Sequence, residues 1–295
     1  MPPSRADEAG TLYVVATPIG NLGDVSARAI EVLGSVDVVA CEDTRITTKL
    51  LRRHDVRTAT LSYHEHNETE RAQQLVSRLQ RGECVALVSD AGTPALSDPG
   101  YRLVRAALGA GIRVRAVPGP SAILAALSIS GLPTSSFTFI GFLPPKGSRR
   151  GKAIEALAGE RHTIVLFETA PRIASLLADL TRVLGDRPAC LLREMTKLHE
   201  EHRHATLSEL ASWARVTEQT GSIKGELTLV IAPRAPHGST ATPDEMKARF
   251  RELIREGRTR REAVKSIAKE NRQPARRVYE TVLDVTEDDR DEMGV

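Results

Sequence analysis

Four times within residues 12–122 the chain runs from a short apolar, β-branched stretch straight into a cluster of glycine, proline and small polar residues. No other feature constrains the fold as strongly. Residues 12–16 end at Thr17-Pro18-Ile19-Gly20-Asn21, and residues 36–40 end at Cys41-Glu42-Asp43-Thr44-Arg45. Residues 84–89 lead into Asp90-Ala91-Gly92-Thr93-Pro94, and residues 112–117 into Pro118-Gly119-Pro120-Ser121-Ala122. Short apolar runs bounded by turn formers read as buried strands. Helical patterning occupies 26–33, 68–80 and 101–108, so strand and helix alternate and imply a largely parallel sheet. Ligands in such sheets gather beyond the carboxyl ends of the strands, where all four clusters fall.

The second half repeats the α/β pattern less regularly. Strands are expected at 163–167, 189–193 and 226–232, with helices at 171–184 and 207–218. Residues 135–151, with glycine, proline, serine and basic residues, read as the join between two domains, 11–135 and 136–234. A stretch rich in Pro, Ser and Thr at 234–242 reads as a linker. Beyond it, 243–285 divides into three short helices: Gly257 suits a helix stop, Thr259 with Glu262 a capping box, and Pro274 the opening of the last helix. Two helices with basic exposed faces and a tight turn between them resemble a helix-turn-helix.

The chain has 295 residues, 41% hydrophobic and 27% charged, enough for a core in each of two domains. Aromatics are only 3%, which disfavours an aromatic-rich β-sandwich. The first ten residues carry no apolar signal core, and no apolar run approaches the roughly 20 residues of a membrane span, so a cytoplasmic protein without membrane association is expected. Cys41, Cys84 and Cys190 lie too far apart in sequence for a CxxC site and suggest no disulfide framework. Net charge is only +3, but between Lys247 and Arg277 twelve Lys or Arg face four Glu, and the last ten residues are acid-rich.

The strand-end clusters bring backbone groups close to a ligand and offer few strong nucleophiles, which favours cofactor binding over covalent catalysis. No GxGxxG follows the first strand, and Gly141-Phe142-Leu143-Pro144-Pro145-Lys146-Gly147-Ser148 departs from a P-loop by transposing Lys and Gly and adding two prolines. There is no GxSxG elbow. The histidines His64 and His66, and His199, His202 and His204, lack the accompanying cysteines of a zinc site, so no metal is expected.

TPIGNLGD, CEDTR, SYHEHNE, VSDAGTPALSDPG, VPGPSA, FIGFLPPKG, FETAPR, REMTK and KGELTLVI stand in this order between residues 12 and 232. The set resembles the ribosomal small-subunit RNA 2′-O-ribose methyltransferase I family, within the tetrapyrrole-methylase-like superfamily. The resemblance implies a two-domain α/β tetrapyrrole-methylase-like fold with a helix-turn-helix-like C-terminal extension, working as a homodimer. It implies S-adenosyl-L-methionine as cofactor, in a cleft between the domains. The implied substrate is a cytidine ribose in the decoding region of 16S RNA, within the assembled 30S subunit. On matching motif positions it assigns cofactor contacts to Pro18, Ala91, Gly92, Thr93, Leu96, Ser121, Ala122, Glu168 and Met195, with Arg193 and Gly225 as secondary candidates. Thr93 departs from the pattern, standing where many relatives have Asp.

A sulfonium methyl donor needs alignment and a proton acceptor more than a metal. The candidate bases at strand ends are Asp43, His64 and Asp98. Each has an ordinary alternative: Asp43 pairing with Arg45, Asp98 capping the helix near Pro99, His64 touching substrate only. RNA phosphates call for exposed cations, for which Lys146, Arg149, Arg150, Arg260, Arg261, Arg276 and Arg277 are the candidates. Two alternatives stay open at this point. One is methylation of a small tetrapyrrole-type molecule; the other is a non-enzymatic, S-adenosylmethionine-responsive nucleic-acid-binding regulator.

Overall fold

The computed structural model describes residues 10–221, 223–234, 241–271, 273–283 and 285. The chain divides into two units, one up to Pro233 and one from Arg234 onward.

The first unit holds two five-stranded sheets. The first comprises β1 (Thr11–Val15), β2 (Val38–Cys41), β3 (Thr60–Ser62), β4 (Val85–Val88) and β5 (Arg113–Val117). Their order is β3-β2-β4-β1-β5 and every pairing is parallel. Strand alternation splits the apolar residues between two faces. Leu12, Ala40, Val85 and Leu87 pack against α3 (Glu68–Gln80) and α4 (Tyr101–Gly109). Tyr13, Val15, Val39, Ala86 and Val88 pack against α1 (Ala27–Ser35) and α2 (Thr44–Arg53). Burial on both faces is why these strands read as continuous apolar runs.

The second sheet comprises β6 (Phe137–Phe142), β7 (Thr163–Thr169), β8 (Pro188–Arg193), β9 (Glu201–Thr206) and β10 (Glu226–Ile231), in the order β6-β7-β10-β8-β9. Only β6 and β7 run parallel; the other pairings are antiparallel. One face is covered by α6 (Gly147–Ala156), α7 (Ile173–Leu184) and α8 (Leu207–Thr220). The other receives α5 (Ala122–Ile129), whose Ile123, Ala126 and Leu127 pack with Val165, Cys190, Leu192 and Val230. Each large apolar side chain buried there contributes about 1.5–3 kcal/mol. Since α5 begins at the end of the fourth strand-end cluster, this packing fixes the first sheet's loops against the second sheet.

Residues 135–151 are therefore not a bare join, because they contain all of β6 and the start of α6. Gly141, Pro144 and Pro145 masked the strand signal of Phe137 and Phe139.

The second unit consists of α9 (Pro243–Arg255), α10 (Arg260–Glu270) and α11 (Ala275–Thr281) around Met246, Phe250, Leu253, Val264, Ile267 and Val278. Thr242 with Glu245, and Thr259 with Glu262, form capping boxes that start α9 and α10. Gly257 lies at φ +85°, and Pro274 is the N-cap of α11. Most of the expected linker (235–240) and the acid-rich last ten residues lie outside the described residues.

Candidate active site between the two sheets

The loops after β1, β4 and β5 emerge side by side, because these strands are neighbours in the first sheet. Thr17 and Gly92 exchange two backbone hydrogen bonds, N to O at 2.8 and 3.0 Å, which tie the first loop to the third. The Thr17 hydroxyl donates to Ser89 O at 3.0 Å, and the Thr93 hydroxyl donates to Pro120 O at 3.3 Å. A Cβ on Gly119 would stand 3.1 Å from the Ala16 Cβ, so the fourth loop lies close against the end of β1. Gly92 sits at φ +80°, where a side chain is strained, and its Cβ position is 3.3 Å from Ile19.

The second sheet meets these loops with one edge. Its antiparallel pairings bring the ends of β6, β7 and β8 together with the start of β10: Thr169 lies opposite Glu226, and Arg193 opposite Leu227. Between the two sets of elements lies a cleft of about 310 Å³. From the first sheet's side come Ile19, Ala91, Gly92, Thr93, Leu96, Ser97, Asp98, Ser121, Ala122 and Ile123. From the second come Phe142, Phe167, Glu168, Thr169, Met195 and residues 225–228.

Two cleft loops share a strained motif. Ala95 and Ser97, at φ +68° and +67°, bracket Leu96; Glu194 and Thr196, at φ +51° and +66°, bracket Met195. Left-handed backbone costs a non-glycine residue about 1–2 kcal/mol, and such strain clusters where function needs it. In each case the bracketed apolar side chain lines the cleft.

Three carboxylates line the cleft, Asp98, Glu168 and Glu226, and no Lys or Arg does. Burial raises the Asp98 carboxyl to about 6, and the neighbouring charges of Glu42 and Asp90 add to the rise, against a hydrogen bond from Ser89. Burial likewise raises Glu42 and Asp90. Glu168 has a fully buried side chain. Its Oε1 accepts from Thr169 N at 2.7 Å and pairs with Arg172 at 3.0 Å, while Oε2 has no partner.

The model of the tetrapyrrole (corrin/porphyrin) methylases matches residues 11–211. A protein named ribosomal RNA small subunit methyltransferase I, from Synechocystis sp., is 44% identical over 281 residues, covering 95% of this chain and 99% of that protein. One of the same name from Micromonospora olivasterospora is 46% identical over 286 residues, covering 96% of this chain and 90% of its own length. The chain belongs to the ribosomal RNA small subunit methyltransferase I family. Among solved structures, a cobalt precorrin-4 methyltransferase matches with TM-score 0.56 at 19% identity, over 78% of this chain and 97% of its own. A uroporphyrin-III C-methyltransferase from Thermus thermophilus, in complex with S-adenosylhomocysteine, matches with TM-score 0.51 at 21% identity, over 75% of this chain and 96% of its own. Both likenesses concern the fold.

For this methyltransferase-family chain, the cleft gathers Ala91, Gly92, Thr93, Leu96, Ser121, Ala122, Glu168 and Met195, together with Asp98 and Gly225. Pro18 is buried and does not line the cleft; Ile19, the next residue, does. Arg193 does not line it either, being paired with Glu201 at 2.9 Å. Asp43 takes its ordinary role: it accepts from Arg45 N at 2.8 Å at the start of α2 and pairs with the Arg45 guanidinium, which holds its carboxyl down at about 2. So weak a base is poorly suited to accept a proton. Asp98 makes no cap, since the N-cap of α4 is Gly100. His64 lies outside the cleft lining, with Nε2 3.2 Å from Asn67 Nδ2.

The basic candidates divide as well. Lys146 and Arg149 are exposed. Arg150 is not: its side chain is 5% exposed, pairs with Asp179 at 3.1 Å and donates to Pro145 O at 3.1 Å. It shares a face of α6 with Ile154, four residues on, so the helical period turns it into the core. Arg260 is half-buried over the Phe250 ring and donates to Val285 O, and Arg276 pairs with Glu280. Arg261 and Arg277 are exposed.

Sequence reasoning missed Ser97, Phe142, Phe167, Thr169 and residues 226–228. Most come from the second sheet's edge, where an antiparallel strand start contributes to the cleft with no glycine-rich cluster to announce it. Among the described residues no helix is long and apolar enough to cross a membrane, and no group of His, Cys, Asp and Glu is arranged to hold a metal ion.

Proposed function

We propose that the chain transfers the methyl group of S-adenosyl-L-methionine to the ribose 2′-hydroxyl of a cytidine in the decoding region of small-subunit ribosomal RNA. The observation that carries this is the acidic, mostly apolar cleft with Asp98 poised near neutrality, in a chain whose relatives bear the name of that methyltransferase. S-adenosylmethionine carries a net positive charge, and the cleft suits it: three carboxylates in the lining, of which Glu168 and Glu226 pair with Arg172 and Lys197 outside it, small residues at Ala91, Gly92, Ser121 and Ala122, and an unpartnered acceptor on Glu168. When bound it supplies a methyl carbon already activated by the sulfonium.

The protein's own residues then do three things. Gly92, Thr93 and Ser121, with Leu96 and Met195 closing over them, hold the donor, and Glu168 Oε2 accepts a hydrogen bond from a hydroxyl or amine of the ligand. Asp98, mostly ionised at pH 7, accepts the proton of the 2′-hydroxyl as its oxygen attacks; a base with a pKa near the working pH gives the best compromise of ionisation and driving force. Lys146 and Arg149, exposed beyond the end of β6, and Arg261 and Arg277, exposed on the helical unit, take RNA phosphates. The chain works in the cytoplasm as a homodimer, on the assembled small subunit.

The test is to incubate the protein with radiolabelled S-adenosylmethionine and small subunits from a strain lacking the enzyme, then map the label. Label on one decoding-region ribose is expected, and a chain truncated before Pro243 is expected to label them less efficiently. Label on a small acceptor and none on RNA would replace this reading.

A further inference from the structure

Phe142 is a large apolar side chain on the cleft wall, yet it is 52% exposed. Its place there is built. Strand alternation would put Phe142 on the opposite face of the sheet from Phe139, three residues earlier. The register of β6 against β7 slips between Phe139 and Gly141: Phe139 lies opposite Val165, Gly141 opposite Leu166 and Phe142 opposite Phe167. This bulge adds one residue and restores Phe142 to the face shared by Phe139, Val165 and Phe167, the face on which α5 sits and the cleft opens. Gly141 makes it possible, at φ +73° and with Ser97 Oγ 2.6 Å from where a Cβ would be.

The ring is also held. Phe142 tilts against Phe167 at 5.7 Å, and Phe167 meets Phe139 edge-on at 5.0 Å. An exposed aromatic ring buttressed by Phe167, which Phe139 braces in turn, has little rotamer freedom left to lose when a flat ligand covers it. Four residues further along the chain is the exposed Lys146, and three beyond that the exposed Arg149.

We infer that Phe142 is the stacking platform for the unpaired base of the RNA acceptor, with Lys146 and Arg149 taking its flanking phosphates; this rests on the reading of the cleft as an RNA ribose methylation site. A ribose within a folded RNA reaches an enclosed methyl donor only if its nucleotide is splayed out, and splayed bases are held by stacking on aromatic rings. The competing flat ligand is the adenine of the cofactor. S-adenosylmethionine has no phosphate and is itself cationic, so an aromatic ring followed closely by exposed cations matches the nucleic acid better.

The experiment compares Phe142→Ala and Phe142→Tyr with the unaltered chain. Affinity for S-adenosylhomocysteine is measured by calorimetry, and KM and kcat are measured on small subunits lacking the modification. Stacking on one base accounts for a factor of roughly 5 to 150. Phe142→Ala is expected to raise KM for subunits by about that factor, with S-adenosylhomocysteine affinity changed less than about twofold, and Phe142→Tyr is expected to restore KM. A loss confined to S-adenosylhomocysteine affinity would assign the ring to adenine, and no change in either would dismiss the platform. A second readout is independent of turnover: Phe142→Trp combined with Trp213→Phe leaves one indole, whose fluorescence is expected to be quenched by a short single-stranded cytidine-containing RNA. Quenching by S-adenosylhomocysteine alone overturns the inference. If the unaltered chain fails to label subunits, the proposed function fails; if it labels them and Phe142→Ala does so equally well, only the platform fails.

Discussion

The two sheets face the same cleft and supply it differently. The first is all parallel, so every strand ends at the same edge, and the loops after β1, β4 and β5 meet the cleft there. The second is mixed, so only three of its strands end at the cleft, and it reaches the ligand through side chains on strand termini. The first contributes backbone and the candidate base, Asp98; the second contributes a wall, with the Glu168 carboxylate, Met195 and an aromatic group. On the function proposed above, the contrast separates two jobs: the parallel sheet supplies the backbone cradle and the proton acceptor, and the mixed sheet supplies the enclosing side chains, Glu168 and Met195 among them.

The sharpest way to break this division is Asp98→Asn. It is expected to lower kcat about 10²- to 10⁴-fold while S-adenosylhomocysteine affinity, measured by calorimetry, is kept. Stability should move the other way. Asp98's folded pKa, about 6, lies above the ordinary carboxylate value, so folding favours its protonated form and the fold loses stability as pH rises from about 4 to 6. The asparagine variant is therefore expected to melt at a higher temperature than the unaltered chain at pH 7.5, and to lose that advantage at pH 4.

Glu168→Gln tests the other wall. It keeps the side chain's size and removes the charge, so S-adenosylhomocysteine affinity is expected to fall about tenfold, with kcat at saturating cofactor nearly unchanged. A collapse of kcat at saturation would give the second sheet a share in the chemistry. Gly92→Ala, at φ +80° beside Ile19, should weaken cofactor binding by a factor of about 5, the equivalent of roughly 1 kcal/mol of left-handed strain. The smallest expected effect is on the pH profile. The kcat of the unaltered chain should fall about tenfold per unit below pH 6, as Asp98 takes up its proton. Glu42→Gln removes a charge that raises Asp98, so this acid limb should move to lower pH. A limb that stays in place would detach Asp98 from the rate.

The same contrast governs what could be read from the amino-acid order. Strands β1, β2 and β4 are legible because burial on both faces demands unbroken apolar runs, β5 because Val114, Ala116 and Val117 lead into a glycine-proline turn although its arginines are on an edge, and the loops after them because close backbone approach demands glycine and small residues. The edge strands β3 and β9 were not read: one is three residues long, and the other, Glu-His-Arg-His-Ala-Thr, is polar because its outer side faces water. Strand β6 was hidden by Gly141, the residue its bulge requires. Residues 225–228 stand at the cleft because of how β10 pairs with β7, which no local pattern encodes. Arg150 is the opposite case. Its four-residue spacing from Ile154 puts it on the inner face of α6, but with 135–151 read as a join there is no helix to count along, and its charge draws it into the RNA-binding set.

The brackets around Leu96 and Met195 carry a consequence for how such a cleft changes over evolutionary time. In each, the unfavourable backbone is borne by the two flanking residues, and the middle residue keeps ordinary dihedral freedom. The middle position behaves as an interchangeable tooth in a fixed jaw: a longer, shorter or branched apolar side chain there alters the shape of the enclosed space while the loop's path stays the same. Two such jaws, one from each sheet, let the enclosed space be reshaped by single substitutions without rerouting either loop.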